Sequence, residues 1–158
     1  MKNACSARST GYADLRKGRV SEAGRIYLVT FTTRGRHRLF EDPDCARIAA
    51  RAMVDPRLWR DSRLLAWVLM PDHWHGLIDL GAKDTLPGRV QKLKSNTARQ
   101  VRNGCPGTAA VWAKGFHDKA LRAEQALLES ARYIICNPVR AGLVRRVGDY
   151  PYWNAVWL

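Results

Sequence analysis

Hydrophobic and polar positions along three stretches of the chain follow patterns that predict β-strands. Residues 25–33 (RIYLVTFTT) are rich in β-branched and aromatic side chains and alternate between two faces. Residues 63–70 form a mostly apolar run that ends at Pro71, and its short length favours a strand over a helix. Residues 73–80 alternate again after this turn. The patterns predict one strand and, later in the chain, an antiparallel hairpin.

Three other stretches repeat their apolar side chains every three or four residues, which is the spacing of an amphipathic helix. The first covers residues 43–54. The second follows a cap at Asp84 or Thr85 and ends near Gly104. The third runs over about residues 123–137 and stops before a proline. We therefore predict three helices.

The order of these elements predicts an α+β fold. A further strand is expected within residues 110–121, so the order is strand, helix, strand, strand, helix, strand, helix. This order is typical of a ferredoxin-like two-layer sandwich: an antiparallel sheet with helices packed on it and, here, an added C-terminal helix that carries Tyr133. We expect a basic N-terminal arm at residues 1–24 and a single domain at residues 25–158, with the aromatic tail from residue 139 packed on it.

The charge of the chain indicates a polyanionic partner. Its 27 Lys and Arg residues outnumber its 14 Asp and Glu residues, and most of the cations are Arg, whose planar guanidinium suits phosphate. The net charge of +13 is concentrated in residues 1–40 and 81–120, whereas an evenly spread charge would indicate only a solvated surface. We therefore expect nucleic acid as the partner. The predicted DNA contacts lie on the polar stripe of the second helix: Arg89, Lys92, Asn96 and Arg99.

Other features limit the class of protein. The longest apolar run, within residues 64–70, is too short to cross a bilayer, and residues 1–10 lack the apolar stretch of a signal peptide. We therefore expect a cytoplasmic protein with no membrane partner. The sequence has no glycine-rich phosphate loop, so no nucleotide cofactor is expected. The cysteines form no CxxC pair, and we expect them to be reduced: Cys5, Cys45, Cys105 and Cys136.

Two pairs of polar side chains are candidates for chemistry. His73 and His75 lie two residues apart on a predicted strand, so both imidazoles lie on one face, where they can share a metal ion. Taken alone, such a pair is more often a surface feature or part of a hydrogen-bonded core. Tyr133 and Asn137 lie four residues apart, on one face at the end of the last helix and next to a polar turn. This position favours an exposed tyrosine over a buried one.

Several other residues have two interpretations. His117 is either a third imidazole near the site or a structural hydrogen-bonding residue, and we leave it out of the metal ligands. Glu129 has no assigned role. The indoles at Trp59, Trp67 and Trp112 suit the core better than base stacking.

Two motifs resemble a known family. The segment VLMPDHWHGL at residues 68–77 resembles the histidine–hydrophobic–histidine motif of the single-tyrosine HUH transposases, with Trp74 as the hydrophobic residue. The segment YIICNPVRAGLV at residues 133–144 resembles the tyrosine-helix signature of their REP-associated tyrosine transposase branch. Further likeness in the first strand, near Trp112 and in the closing segment extends the resemblance over roughly residues 25–157.

The resemblance implies an enzyme that cleaves and rejoins single-stranded DNA at hairpin-forming repeats through a covalent 5′-phosphotyrosine. It implies Tyr133 as the nucleophile, His73 and His75 as catalytic metal ligands and Asn137 as the third protein ligand. A phenol has an ordinary pKa of about 10, so its attack benefits from a metal that polarises the phosphate. Arg140, in the turn after the tyrosine, is added to the predicted DNA contacts.

The resemblance leaves the metal and the assembly state open. It implies Mg²⁺ or Mn²⁺, although two imidazoles and an amide suit Mn²⁺ or Zn²⁺ better than Mg²⁺. The family that the chain resembles includes both monomers and homodimers that exchange their tyrosine helices, and the sequence is compatible with either state.

Two other functions fit part of the sequence. A non-catalytic module that binds single-stranded DNA or RNA uses the same arrangement of sheet and helices, and it would bind without metal-dependent cleavage. A metallohydrolase for a small substrate would explain the histidine pair alone. That function would leave the net charge of +13 unexplained.

Overall fold

A five-stranded antiparallel sheet organises the computed structural model, which describes residues 21–157. Its strands are β1 (Ile26–Thr32), β2 (Arg63–Met70), β3 (His73–Asp79), β4 (His117–Ala120) and β5 (Trp153–Ala155). They hydrogen-bond in the order β4-β1-β3-β2-β5. The first four strands have the order of a ferredoxin-like sheet, so the predicted α+β fold is confirmed. Residues 1–20, most of the predicted basic arm, lie outside the described residues.

Three helices and one short helical turn pack with the sheet: α1 (Pro43–Met53), α2 (Leu86–Gly104), α3 (Glu124–Ile135) and α4 (Asn137–Arg140). The Asp42 carboxylate accepts hydrogen bonds from backbone amides in the first turn of α1. Thr85, rather than Asp84, caps α2 through its hydroxyl. Three residues, 121–123, connect β4 to α3. Within residues 21–157, no helix is long and apolar enough to cross a membrane.

The two faces of the sheet carry separate cores. On one face the core includes Trp74 and is covered by α1 and α2. On the other face the core includes Leu77 and is covered by α3 through Ile134. Alternate residues of a strand point to opposite faces. His73 and His75 therefore lie on the α3 face with Leu77, while Trp74 between them lies on the α1/α2 face.

The C-terminal tail adds an edge strand that was not predicted. Residues Trp153–Ala155 pair with β2 and form β5. The Tyr150 hydroxyl donates a hydrogen bond of 2.7 Å to the carbonyl oxygen of Leu69 in β2. These contacts confirm that the tail packs on the domain. The strand expected within residues 110–121 forms as the four residues of β4, and Trp112 before it makes an isolated bridge to Thr33 at the end of β1.

Cys45 and Cys105 form a disulfide that joins the first turn of α1 to the residue after α2, with 5.9 Å between their Cα atoms. The prediction of reduced cysteines is therefore wrong for this pair, while Cys136 is free. The two partners are 60 residues apart in sequence. Their spacing contains no local signal, since only the packing of α1 against α2 brings them together. Cys5 lies outside the described residues.

Candidate active site

The β2–β3 hairpin places His73 and His75 side by side, with 4.8 Å between their ring centroids. Trp74, between them, is 0% exposed and stacks on Phe31 at the opposite face, with 4.9 Å between the ring centroids. Its indole also covers Gly76, where a β-carbon would collide with the ring. The packing of this tryptophan therefore fixes β3 so that both histidines face α3.

Each imidazole is held through its Nδ1 atom by an oxygen. The Nδ1 of His73 lies 2.6 Å from a carboxylate oxygen of Asp72. The Nδ1 of His75 lies 2.6 Å from the hydroxyl oxygen of Thr30. A tautomer with its proton on Nδ1 keeps the Nε2 lone pair for a metal ion, which is the usual arrangement of metal-binding histidines.

The surroundings of His75 favour its neutral form. Burial, helped by electrostatic repulsion from His73, Arg140 and Arg36, lowers the pKa of His75 from 6.5 to about 3. The ring is therefore uncharged at neutral pH, and the neutral ring is the form that binds a metal ion.

Tyr133 meets the histidine pair from α3 of the same chain. Its ring centroid lies 6.2 Å from that of His75, and the two rings are nearly perpendicular. The Tyr133 side chain is 48% exposed, whereas the neighbouring Ile134 is buried against the sheet. Helix α3 thus packs through Ile134 and leaves the phenol accessible beside the histidines. The structure therefore brings together the three residues predicted as catalytic.

Asn137 and Arg140 lie next to the tyrosine because α4 begins directly after α3. The Asn137 side chain is 9% exposed, and its amide nitrogen donates to the carbonyl oxygen of Tyr133 at 3.3 Å. Arg140 donates to the Asn137 amide oxygen at 3.0 Å. The guanidinium carbon of Arg140 also lies 3.7 Å from the centre of the Tyr133 ring, a cation–π contact. Arg140 therefore contacts both the predicted nucleophile and the predicted third ligand.

Arg36 is a site residue that the sequence interpretation missed. Its Nε lies 3.0 Å from one oxygen of Asp72, and the other oxygen of that carboxylate holds His73. The sequence feature that could have indicated Arg36 is the group of cations directly after the first strand. Because β1 pairs antiparallel with β3, the end of β1 lies beside the beginning of the histidine strand.

The donors at this site fit a divalent metal ion. Among residues 21–157, no group of three or more His, Cys, Asp or Glu residues is placed to hold a metal. The predicted set instead combines the Nε2 atoms of His73 and His75 with the amide oxygen of Asn137, which has a second lone pair besides the one that Arg140 engages. Two imidazole nitrogens and an amide oxygen suit Mn²⁺ or Zn²⁺, whereas Mg²⁺ requires more oxygen ligands from water or phosphate.

Arg89 was predicted to be an exposed DNA contact, but the structure buries it. Arg89 is only 4% exposed and forms an ion pair with Asp84. Burial disfavours the charged carboxylate of Asp84, but hydrogen bonds from Ser62 and Arg89 outweigh this effect and hold the pKa of Asp84 below its ordinary value. Arg89 therefore neutralises a buried carboxylate, and the prediction that it lies on an exposed stripe is wrong.

The other predicted contacts on α2 line a basic cleft on the α1/α2 side of the sheet, away from the histidines. Lys92 and Arg99 are exposed there. Asn96 is half-buried, and its amide donates to the carbonyl oxygen of Ala52 and accepts a hydrogen bond from Arg99. The other exposed cations that line this basic cleft are Arg57, Arg60, Lys83 and Arg102.

His117 and Glu129 take different positions relative to the site. His117 pairs with Thr30 across β4 and β1, as His75 does across β3 and β1, so the two histidines lie on the same face. Glu129 accepts a hydrogen bond from Gln125 on the exposed surface of α3. The indoles predicted as core belong to, or pack against, the core under α1 and α2: Trp59, Trp67 and Trp112.

Comparison with known proteins identifies the family. The family model described as "Transposase IS200 like" matches residues 23–135, more than half of the chain, including both histidines and Tyr133. The chain belongs to this transposase family. A solved REP-associated tyrosine transposase bound to a REP hairpin is 26% identical and superposes with a TM-score of 0.66 over 85% of this chain and 79% of that chain. A putative transposase from Deinococcus radiodurans, 22% identical, shares the fold with a TM-score of 0.51 over 75% of this chain and 95% of that one.

Two curated relatives place this IS200-like transposase near the REP-associated branch. The REP-associated tyrosine transposase of Escherichia coli K12 is 28% identical over 102 residues, which cover 64% of this chain and 59% of that protein. A putative REP-associated tyrosine transposase of Haemophilus influenzae is 30% identical over 98 residues, 56% of each chain. The resemblance to this branch is confirmed. The matches span less than two thirds of the length of either relative.

Proposed function

We propose that this IS200-like transposase cleaves single-stranded DNA at hairpin-forming repeats and holds the cut strand as a covalent 5′-phosphotyrosine on Tyr133, in a metal-dependent reaction. The observation that carries the proposal is the approach of Tyr133 to His75 within one chain, with 6.2 Å between ring centroids. A purely structural tyrosine would bury its ring, whereas this phenol is half exposed beside two imidazoles.

The proposed step is a transesterification. The phenolic oxygen of Tyr133 attacks the scissile phosphorus and loses its proton, and the bond between phosphorus and the 3′ oxygen breaks. The departing oxygen takes up a proton and becomes a free 3′-hydroxyl. The phosphotyrosine bond retains the energy of the broken diester, so another 3′-hydroxyl can displace Tyr133 and rejoin the strand without a nucleotide cofactor.

A divalent ion, Mg²⁺ or Mn²⁺, would polarise the phosphate and offset charge on the leaving oxygen. We propose that His73 and His75 hold this ion through Nε2, with Asn137 as the third protein ligand. Asp72 and Thr30 orient the two rings through Nδ1.

Hairpin DNA is the proposed substrate. The solved relative bound to a REP hairpin supports this choice, as does the net charge of +13. Because Tyr133 and the histidines meet within one chain, we propose that a monomer in the cytoplasm contains a complete site.

Covalent trapping tests the proposal. The protein is incubated with Mn²⁺ or Mg²⁺ and single-stranded hairpin oligonucleotides taken from the flanks of its own gene, and adducts are resolved on a denaturing gel. We expect an adduct that Tyr133→Phe and EDTA both abolish. Tyr152→Phe is the matched control and should retain the adduct, since the Tyr152 hydroxyl donates to the carbonyl oxygen of Pro43. An adduct that survives in Tyr133→Phe would overturn the proposal, and binding without any adduct would favour a non-catalytic module.

A further inference from the structure

A row of contacts with an arginine at each end runs through the proposed active site. At one end, the Nε of Arg36 lies 3.0 Å from Asp72, which holds His73 through its other oxygen. At the other end, Arg140 covers the ring of Tyr133 at 3.7 Å. The histidine pair and the tyrosine lie between these two ends. Two guanidinium groups therefore bracket the side chains that would cut the DNA.

Arg36 belongs to a tight turn directly after β1. Gly35 and Arg36 both have left-handed backbone conformations, with φ of 62° and 58°. Within residues 21–157, Arg36 is the one non-glycine residue with a positive φ, and such outliers concentrate at functional sites. The buried Thr33 anchors the turn, because its hydroxyl lies 2.6 Å from the carbonyl oxygen of His37 and 3.0 Å from that of Asp72. The backbone is thus shaped to bring the Arg36 side chain to Asp72.

Both arginines keep donors available for a ligand. The Arg36 side chain is 59% exposed although it contacts Asp72, and Arg140 is also exposed. A guanidinium has five N–H donors, and one contact with a carboxylate or an amide engages only part of them. A phosphodiester at this position would meet donors from both sides.

We propose that Arg36 and Arg140 together clamp the scissile phosphate, which holds the phosphorus between Tyr133 and the histidine pair. The inference rests on the proposed cleavage reaction and adds the residues that bind its reacting group. Donors fixed around a transferring phosphate stabilise the charge that develops on its oxygens. In the competing interpretation, Arg36 only orients Asp72 and Arg140 only fastens α4 to α3.

Salt-dependent binding tests the phosphate contacts without the chemistry. In a Tyr133→Phe background, we expect Arg36→Gln and Arg140→Gln each to reduce the slope of log affinity against log salt, for the hairpin oligonucleotide, by about 0.7, the value for one lost phosphate contact on a single strand. Arg34→Gln in the same turn and Arg145→Gln after α4 are controls for the loss of one exposed cation. A slope unchanged from the parent protein would overturn the clamp, because a role limited to orienting Asp72 or fastening α4 does not alter it.

The rate of adduct formation in a single turnover, at saturating DNA, tests whether the two arginines contact the scissile phosphate. With Tyr133 present, we expect Arg36→Gln and Arg140→Gln each to slow this step at least about 100-fold, as for the loss of one donor to a developing oxyanion. Arg36→Lys should regain part of the rate, since it keeps the charge but not the planar guanidinium. Rates equal to those of the two controls would overturn the clamp at the scissile phosphate. If the unmodified protein forms no adduct, the proposed function fails instead, and the binding slopes still decide whether both arginines bind phosphate.

Discussion

Trp74 sets the direction of the two histidines from the opposite face of the sheet. Its buried ring stacks on Phe31 and covers Gly76, so β3 packs in only one register. A shift by one residue would turn His73 and His75 into the apolar core and expose the indole. The residue between the histidines therefore protects the geometry of the site through packing alone.

Gly76→Ala tests this packing. The added β-carbon would collide with the Trp74 ring, and we expect the free energy of unfolding to fall by about 1–3 kcal/mol because the core becomes overpacked. Gly148→Ala is the control, since a β-carbon there meets no atom within 4 Å. Urea unfolding of both variants measures the difference. Equal stability of the two variants would contradict this account of the hairpin.

Arg89 illustrates which residue-level facts the sequence lacks. Helical spacing correctly placed Arg89 on the side of α2 that carries Lys92, and the exposure of Lys92 agrees with the pattern. Spacing reports the direction of a side chain, however, and not whether a neighbouring loop covers it. In the folded protein, Asp84 in the segment before α2 pairs with Arg89, and Ser62 in the segment before β2 donates to the same carboxylate. Arg36 was missed for a similar reason, because its meeting with Asp72 depends on strand pairing.

Elements with local signals were predicted well, and elements with distant partners were not. The Asp42 cap begins α1, and residues 63–70 form β2 with the bounds of their apolar run. The three residues of β5 have no periodicity of their own and gain their order by pairing with β2, far away in the chain. The position of Asn137 on a separate turn, α4, also lies beyond what the helical pattern of α3 contains.

The Cys45–Cys105 disulfide joins two elements, α1 and α2, across 60 residues of chain. We expect its reduction to lower the free energy of unfolding by about 4 kcal/mol, because the unfolded chain regains the entropy of an open loop. Urea unfolding with and without a thiol reductant measures this. Cys45→Ser should resemble the reduced protein, while the control Cys136→Ser should keep its response to reductant. A denaturation midpoint that reductant does not change would contradict the disulfide.

In the molecule as a whole, the sheet separates the exposed cations of α2 from the proposed catalytic residues. The basic cleft lies on the α1/α2 side of the sheet, between α2 and residues 57–61, whereas the histidines and Tyr133 lie on the α3 face. The net charge predicts an anionic partner, but it does not show on which side of the sheet the partner would bind. Only the strand order and the helix packing show that the exposed cations of α2 and the proposed chemistry occupy different faces.

Lys92→Ala tests this separation. We expect the slope of log affinity against log salt for single-stranded DNA to become shallower by about 0.7, because the exposed Lys92 would contact one phosphate. The rate of adduct formation at saturating DNA should stay unchanged, since Tyr133 lies on the other face. Gln91→Ala, an exposed and neutral neighbour on α2, is the control. A reduced rate at saturating DNA would contradict the separation, and an unchanged slope would remove Lys92 from the DNA contacts.

The connection between β4 and α3 has only residues 121–123. A segment of three residues spans about 10 Å at most, so Tyr133 is tethered to the sheet that carries its own histidines. For the proposed cleavage, the local concentration of the nucleophile is then set by the fold and not by the abundance of the protein. Under the proposed function, a single copy bound to a single repeat would carry the residues that the first cut requires, and dilution would leave the rate of that cut within the complex unaffected.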